Sequence, residues 1–295
     1  VSETPAGTPV VLITGATDGL GRAAALLLAE RGYRVFAAGR SPEKRAQLEA
    51  LAREKKLPLQ TLHLDVCDAQ SVEQGVADVL AKAGAIDVLI NNAGVVIVAT
   101  VEEMSMADWR SQFETNVFGL IRVTQAVLPQ MRERRKGRIV MLSSVAGLVT
   151  PPTYGPYSAT KHAVEAISNA LRHELYPFGI ATVLIEPGYI VTGIQQASAE
   201  LSKAYLENRD AGPYASIHGK SRSARNAARG SSGTTPEDCA RVILRAVEAK
   251  HPKARYGVTR LATLVRWSKR LLPDSALDAM IRRSTGITRD SEGSS

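Results

Sequence analysis

VVLITGATDGLG, residues 10–21, decides the fold. Its first four residues are aliphatic, mostly β-branched, and the run stops at Gly15, the pattern of a short buried strand. GRAAALLLAERG (21–32) then has helical periodicity and ends at Gly32. Between them Gly15, Gly19 and Gly21 spell G-x-x-x-G-x-G. Glycines at such a turn let the backbone approach a ligand closely. The N–H groups that open a helix are a natural seat for a pyrophosphate. A glycine turn anywhere is a weak signal. Set between a buried strand and an Ala/Leu-rich helix, it points to dinucleotide binding.

The pattern repeats outward from there. Strand-like runs at 33–40, 59–66, 86–94, 138–147 and 180–188 alternate with helix-like runs at 41–56, 68–84, 106–134 and 158–179. Ser41 and Pro42 fit the N-cap and first turn of their helix. Val/Ile/Leu-rich strands alternating with helices imply an α/β fold, a Rossmann-like doubly wound parallel sheet with helices on both faces. No linker cuts the chain, so residues 9–260 read as one catalytic domain after a flexible 1–8. Residues 193–235 show no core face and read as a substrate loop over the ligand end of the sheet. Residues 236–249 read as a helix capped by Thr235, RYGVTR (255–260) as a last strand, and 261–295 as a basic amphipathic helical extension with a disordered tail.

Composition is that of an ordinary soluble globular chain of 295 residues, 44% apolar and 22% charged. No apolar run is long enough to span a membrane. Two cysteines make neither a disulfide framework nor a metal set and fit a reducing, cytoplasmic setting. The net charge is +8, and basic residues outnumber acidic ones from Arg241 to Arg289. Without interleaved aromatics this excess does not indicate nucleic acid. LATLVRWSKRLLPDSALDAMIRR (261–283) carries Leu, Val and Trp on one side and Arg and Lys on another. It suits packing on the domain, packing on a subunit, or peripheral contact with anionic lipid.

Cofactor choice is read after the second strand, where an acid would hold the ribose hydroxyl of NAD and an arginine the 2′-phosphate of NADP. Gly39 stands where the acid is expected and Arg40 follows, which favours NADP(H) over NAD(H). Asp18, inside the glycine loop, opposes that reading.

YGPYSATK (154–161) places Tyr157 and Lys161 four residues apart, on one face of a helix. An ammonium beside a phenol favours the phenolate, so this pair has the makings of a tuned acid/base. Taken alone it is equally an ordinary helical pair.

Together these motifs resemble the short-chain dehydrogenase/reductase family over residues 9–260. TGATDGLG (14–21) matches its glycine motif, LDV (64–66) its adenine pocket and NNAG (91–94) the segment after the fourth strand. TNVFG (115–119) carries its asparagine, LSSVAG (142–147) its serine, YSATK (157–161) its tyrosine and lysine, and EPGYIVT (186–192) its nicotinamide segment. Ser144 stands thirteen residues before Tyr157, the family's spacing, which selects it over Ser143 and Tyr157 over Tyr154.

The resemblance implies hydride transfer between a nicotinamide and an alcohol or ketone carbon. Tyr157 would be the acid/base, Ser144 would hold the substrate oxygen, Lys161 would lower the phenol's pKa and bind the ribose, and Asn116 would hold a relay water. The cofactor would be bound by Gly15, Thr17, Asp18, Gly19, Leu20, Gly21, Arg40, Asp65, Val66, Asn92, Ala93, Gly94, Tyr157, Lys161, Pro187, Gly188, Ile190 and Thr192. Tyr154 would line the substrate mouth. The look is that of steroid or retinol dehydrogenases, with a lipophilic alcohol or ketone as substrate and a homodimer or homotetramer formed through the two long helices. A β-keto acyl or polyketide-type ketoreductase, or a cofactor-binding regulator without turnover, are the other readings.

Overall fold

A computed structural model describes residues 7–190, 194–207, 212–232 and 234–289. Its centre is a seven-stranded sheet in the order β3-β2-β1-β4-β5-β6-β7, with every neighbouring pair parallel. The strands are β1 Val10–Ile13, β2 Arg34–Gly39, β3 Leu59–His63, β4 Val88–Asn91, β5 Gly137–Leu142, β6 Ile180–Glu186 and β7 Arg255–Gly257. Strand order reverses between β1 and β4, which register Leu12 against Leu89 and Ile13 against Ile90. A crevice opens outside the carboxyl ends at such a switch point, the usual place for a ligand in this architecture.

Successive residues of a strand face opposite sides. Val11 and Ile13 pack with Ala25 and Leu28 of α1 (Gly19–Glu30), and with Val242 and Ile243 of α10 (Pro236–Glu248). Val10 and Leu12 pack on the other side with Val76 of α3 (Ala69–Ala83), Val123 of α5 (Gly119–Glu133) and Val164 of α6 (Gly155–Glu174). Both faces are thus covered. Helix α2 (Pro42–Glu54) begins where expected, with Ser41 Oγ accepting from Lys44 N at 3.2 Å. Thr235 caps α10 within a capping box closed by Asp238.

Two segments differ from the sequence reading. The single helix expected over 106–134 is α4 (Met106–Phe113), then one π turn at Glu114–Phe118, then α5. The segment 193–235, expected as a loop, contains α7 (Ile194–Leu201), α8 (Lys203–Glu207) and α9 (Ala215–Ser232). These helices are tied to the body by polar contacts. Val98 N donates to Ser202 Oγ at 2.8 Å, His218 Nε2 pairs with Glu103 Oε2 at 2.7 Å, and Thr153 Oγ1 meets Ser221 Oγ at 2.8 Å. Beyond β7, the extension forms α11 (Arg260–Leu271) and α12 (Asp274–Thr285). No helix among the described residues is long and apolar enough to cross a membrane.

Candidate active site

The glycine turn is built for close approach. Gly15 has φ of 61°, and a Cβ there would lie 2.9 Å from Ala93 Cα. At Gly21 a Cβ would lie 2.4 Å from Asn92 Nδ2. Asn92 braces the turn, its Nδ2 donating to the Thr14 and Gly15 carbonyls at 2.9 Å each. Thr14 Oγ1 in return accepts from Asn92 N at 3.0 Å and Ala93 N at 3.1 Å. The NNAG motif therefore shapes the turn as well as the floor beside it.

A groove of about 650 Å³ runs past this turn. Gly15, Thr17, Asp18, Gly19, Leu20, Gly21, Arg40, Asp65, Val66, Asn92, Ala93 and Gly94 all line it. Bare backbone at the N-terminus of α1 and a floor of small residues fit a dinucleotide. Ser41 and Lys44 also line the groove, and sequence reading missed both as contacts. The signal was available: a polar residue and a cation in the first turn after Arg40. A Cβ on Gly39 would lie 2.5 Å from Thr17 Cγ2, so the acid typical of NAD sites has no room there. Asp18 caps α1 and forms an ion pair with Lys44 Nζ at 2.5 Å, which holds its carboxyl below the usual range. Arg40 lies 3.7 Å from Asp65 Oδ2 and remains largely exposed.

Asn116, Ser144, Tyr157 and Lys161 stand apart from the groove lining, on α6, on the π turn and at the end of β5. Ser144 caps a short 3₁₀ turn, its Oγ accepting from Ala146 N at 3.1 Å, and it works to lower the Tyr157 pKa. Val145 N donates to the Pro187 carbonyl at 2.9 Å and so ties this turn to the 187–190 segment. Pro187 and Gly188 are partly exposed and Ile190 is buried, all three outside the groove lining. Thr192 lies outside the described residues.

Burial pushes the Tyr157 phenol above its ordinary value, with Ser144 opposing and Tyr154 adding to the rise. The relief expected from Lys161 does not offset this burial. The lysine Nζ sits 5.7 Å from the phenol ring centre and donates to the Leu142 carbonyl at 2.8 Å. The same burial lowers Lys161 to about 8, while the carboxylate of Glu165 works to raise it. Tyr154 stacks edge-on against Tyr157 with ring centres 6.2 Å apart.

The Asn116 side chain is engaged by its neighbours. Its Oδ1 accepts from Val95 N at 2.8 Å, and its Nδ2 donates to Val95 O at 2.9 Å and to Thr160 Oγ1 at 3.1 Å. Its amide therefore fixes the β4 exit against the helix that bears Lys161. A π turn, often found at functional sites, aims it.

Behind Lys161 lies a charge network invisible to sequence reading. Glu165 accepts from Ser143 Oγ at 2.5 Å and pairs with Arg255. Arg255 also reaches fully buried Glu186 at 2.7 Å. Among the described residues, no three His, Cys, Asp or Glu side chains cluster as metal ligands.

The family model for short chain dehydrogenases matches residues 9–202. The chain belongs to that family. A 3-ketodihydrosphingosine reductase of Bacteroides thetaiotaomicron is 35% identical over 284 residues, covering 92% of this chain and 96% of that protein. Retinol dehydrogenase 8 of Bos taurus is 35% identical over 261 residues, covering 86% and 83%. Among solved structures, a Burkholderia phymatum short-chain dehydrogenase/reductase in complex with NAD aligns at TM-score 0.77 and 28% identity, over 92% of this chain and 95% of that one. A variant actinorhodin polyketide ketoreductase with NADPH aligns at 0.75 and 29%, over 87% and 98%. This short-chain dehydrogenase thus has neighbours with either cofactor.

Proposed function

We propose that this short-chain dehydrogenase reduces the carbonyl of a lipophilic ketone or aldehyde with NADPH. One observation carries the reading: Lys161 Nζ lies 5.7 Å from the Tyr157 ring centre, on the helix that follows the turn bearing Ser144. A neutral phenol beside a cation can give its proton to a developing alkoxide.

When bound, the nicotinamide supplies the hydride. Ser144 holds the substrate oxygen beside the phenol. Tyr157 donates its proton to that oxygen as negative charge develops there, and the alcohol leaves. The Lys161 ammonium stabilises the phenolate left behind until solvent returns the proton. The Asn116 side chain, bound to Val95 and Thr160, helps to position the helix that carries Tyr157 and Lys161. Arg40, Ser41 and Lys44 would hold a 2′-phosphate, and Lys44 masks the opposing Asp18. Exclusion of an acid at position 39 by Thr17 supports the same preference.

The relative that reduces 3-ketodihydrosphingosine supports a long-chain ketone, and retinol dehydrogenase 8 a lipophilic substrate more broadly. Residues 9–260 would form the catalytic unit, with α7–α9 walling the substrate side. Pairing of two copies through α5 and α6 would give a homodimer, which sedimentation equilibrium measures.

The test is NADPH and NADH oxidation by the purified chain offered 3-ketodihydrosphingosine and retinal. NADPH-dependent turnover of either supports the reading. Tight NADPH binding without turnover of any lipophilic ketone or aldehyde would favour the regulator reading.

A further inference from the structure

Helix α11 has two faces of different fate. Its inner side is spent on the protein. Ala262 is buried, Arg266 reaches Glu186 at 3.8 Å, and the Thr259 cap lies where a Cβ on Gly188 would meet its Oγ1 at 2.5 Å. The outer side is apolar and bare. Leu261, Leu264, Trp267 and Leu271 are 50%, 60%, 53% and 72% exposed, and Leu272 extends the patch. At 100° per residue the four side chains on the helix fall within an arc of about 120°. Exposed apolar groups so contiguous mark a contact surface.

The charges say what covers it. RLATLVRWSKRL contains four basic residues and no acid. Arg270 flanks the stripe on one margin, its guanidinium 5.9 Å from the Trp267 ring centre, and Lys269 flanks the other. Arg260 lies within the arc, and on α12 exposed Arg283 follows, with Arg282 paired to Asp278 at 3.7 Å. Because α11 carries no acid, a second copy docked on this face about a two-fold axis would bring cations towards cations with no carboxylate of α11 between them. An apolar stripe with basic margins on both sides is instead the pattern of a helix lying in a lipid interface.

We propose that the outer face of α11 docks this protein on anionic membrane surfaces, Leu261, Leu264, Trp267 and Leu271 entering the acyl boundary and the flanking cations meeting lipid phosphates. The docking is independent of the reaction proposed above, and vesicle binding is read without turnover.

Co-sedimentation of the full chain with vesicles of phosphatidylcholine alone, and of phosphatidylcholine with phosphatidylglycerol, tests it. The protein is expected to pellet with the anionic vesicles, to stay in solution with the neutral ones, and to be partly released by salt. Leu264→Ser/Trp267→Ser/Leu271→Ser removes only exposed side chains. It should weaken vesicle partition by about tenfold or more while leaving NADPH affinity and thermal unfolding unchanged. Lys269→Glu/Arg270→Glu should abolish the preference for anionic vesicles. Failure of the wild type to pellet on either vesicle, or wild-type partition by the triple variant, would overturn the proposal. So would a dimer that the triple variant dissociates, which would give the face to a second copy.

Discussion

Replacing Arg40 by alanine isolates the phosphate end of the site. The guanidinium is 64% exposed and its pair with Asp65 is stretched to 3.7 Å, so redirecting it to a phosphate sacrifices little. Hydrogen bonds to a charged partner contribute ~1.5–3 kcal/mol, and this exposed position belongs at the lower end. About 1.5–2 kcal/mol corresponds to a loss of roughly 10–30-fold in NADPH affinity. NADH has nothing for Arg40 to hold, so its affinity should stay within about twofold. The assay is cofactor fluorescence titration of both forms, at low and at physiological salt, because a screened contact loses part of its effect in salt. Equal weakening of NADPH and NADH would mean that Arg40 supports the groove without reading the phosphate. No weakening of either would remove it from the site.

Other substitutions probe neighbouring links. Gly39→Asp with Thr17→Ala, which clears the 2.5 Å clash at Thr17 Cγ2, should turn preference from NADPH to NADH, whereas Gly39→Asp alone should weaken both. Lys161→Met should flatten the pH dependence of stability. In the folded protein the lysine falls from 10.5 to about 8, so between those values the unfolded chain holds a proton that the folded chain has shed. Wild-type stability should therefore rise by roughly 3 kcal/mol across that window, the buried charge being a cost only partly offset by Glu165 below it. Denaturant unfolding at several pH values measures this, and a rise equal in the variant would contradict it. Glu165→Gln removes the carboxylate that keeps Lys161 charged. The alkaline limb of the reductase pH profile should move to lower pH, while a merely structural role would lower the rate without moving it.

What the sequence disclosed follows from how each part is held. The strands and flanking helices were legible because burial on two faces leaves aliphatic runs and 3.6-residue periods, as in Val10–Ile13 and α1. The helices over 194–232 were not, because they dock largely through polar contacts of His218, Ser221 and Ser202, with Tyr205 packed on the small Ile97–Ala99–Met104 cluster. The π turn escaped because Asn116 is aimed by Val95, twenty-one positions earlier. Spacing and family resemblance singled out Tyr157, Ser144 and Lys161, yet the pKa logic drawn from spacing was incomplete. It counted the lysine's charge and omitted the burial that the fold imposes on both groups. Glu165, Glu186 and Arg255 come from three separate elements, so only the folded chain brings them together behind the lysine.

Tyr157→Phe tests the central claim most directly. The substitution keeps the ring beside Lys161 and removes only the hydroxyl. NADPH-dependent ketone reduction should fall by ~10²–10⁴-fold, with NADPH affinity unchanged. A variant that turns over ketone at the wild-type rate would contradict the assignment of Tyr157 as the proton donor.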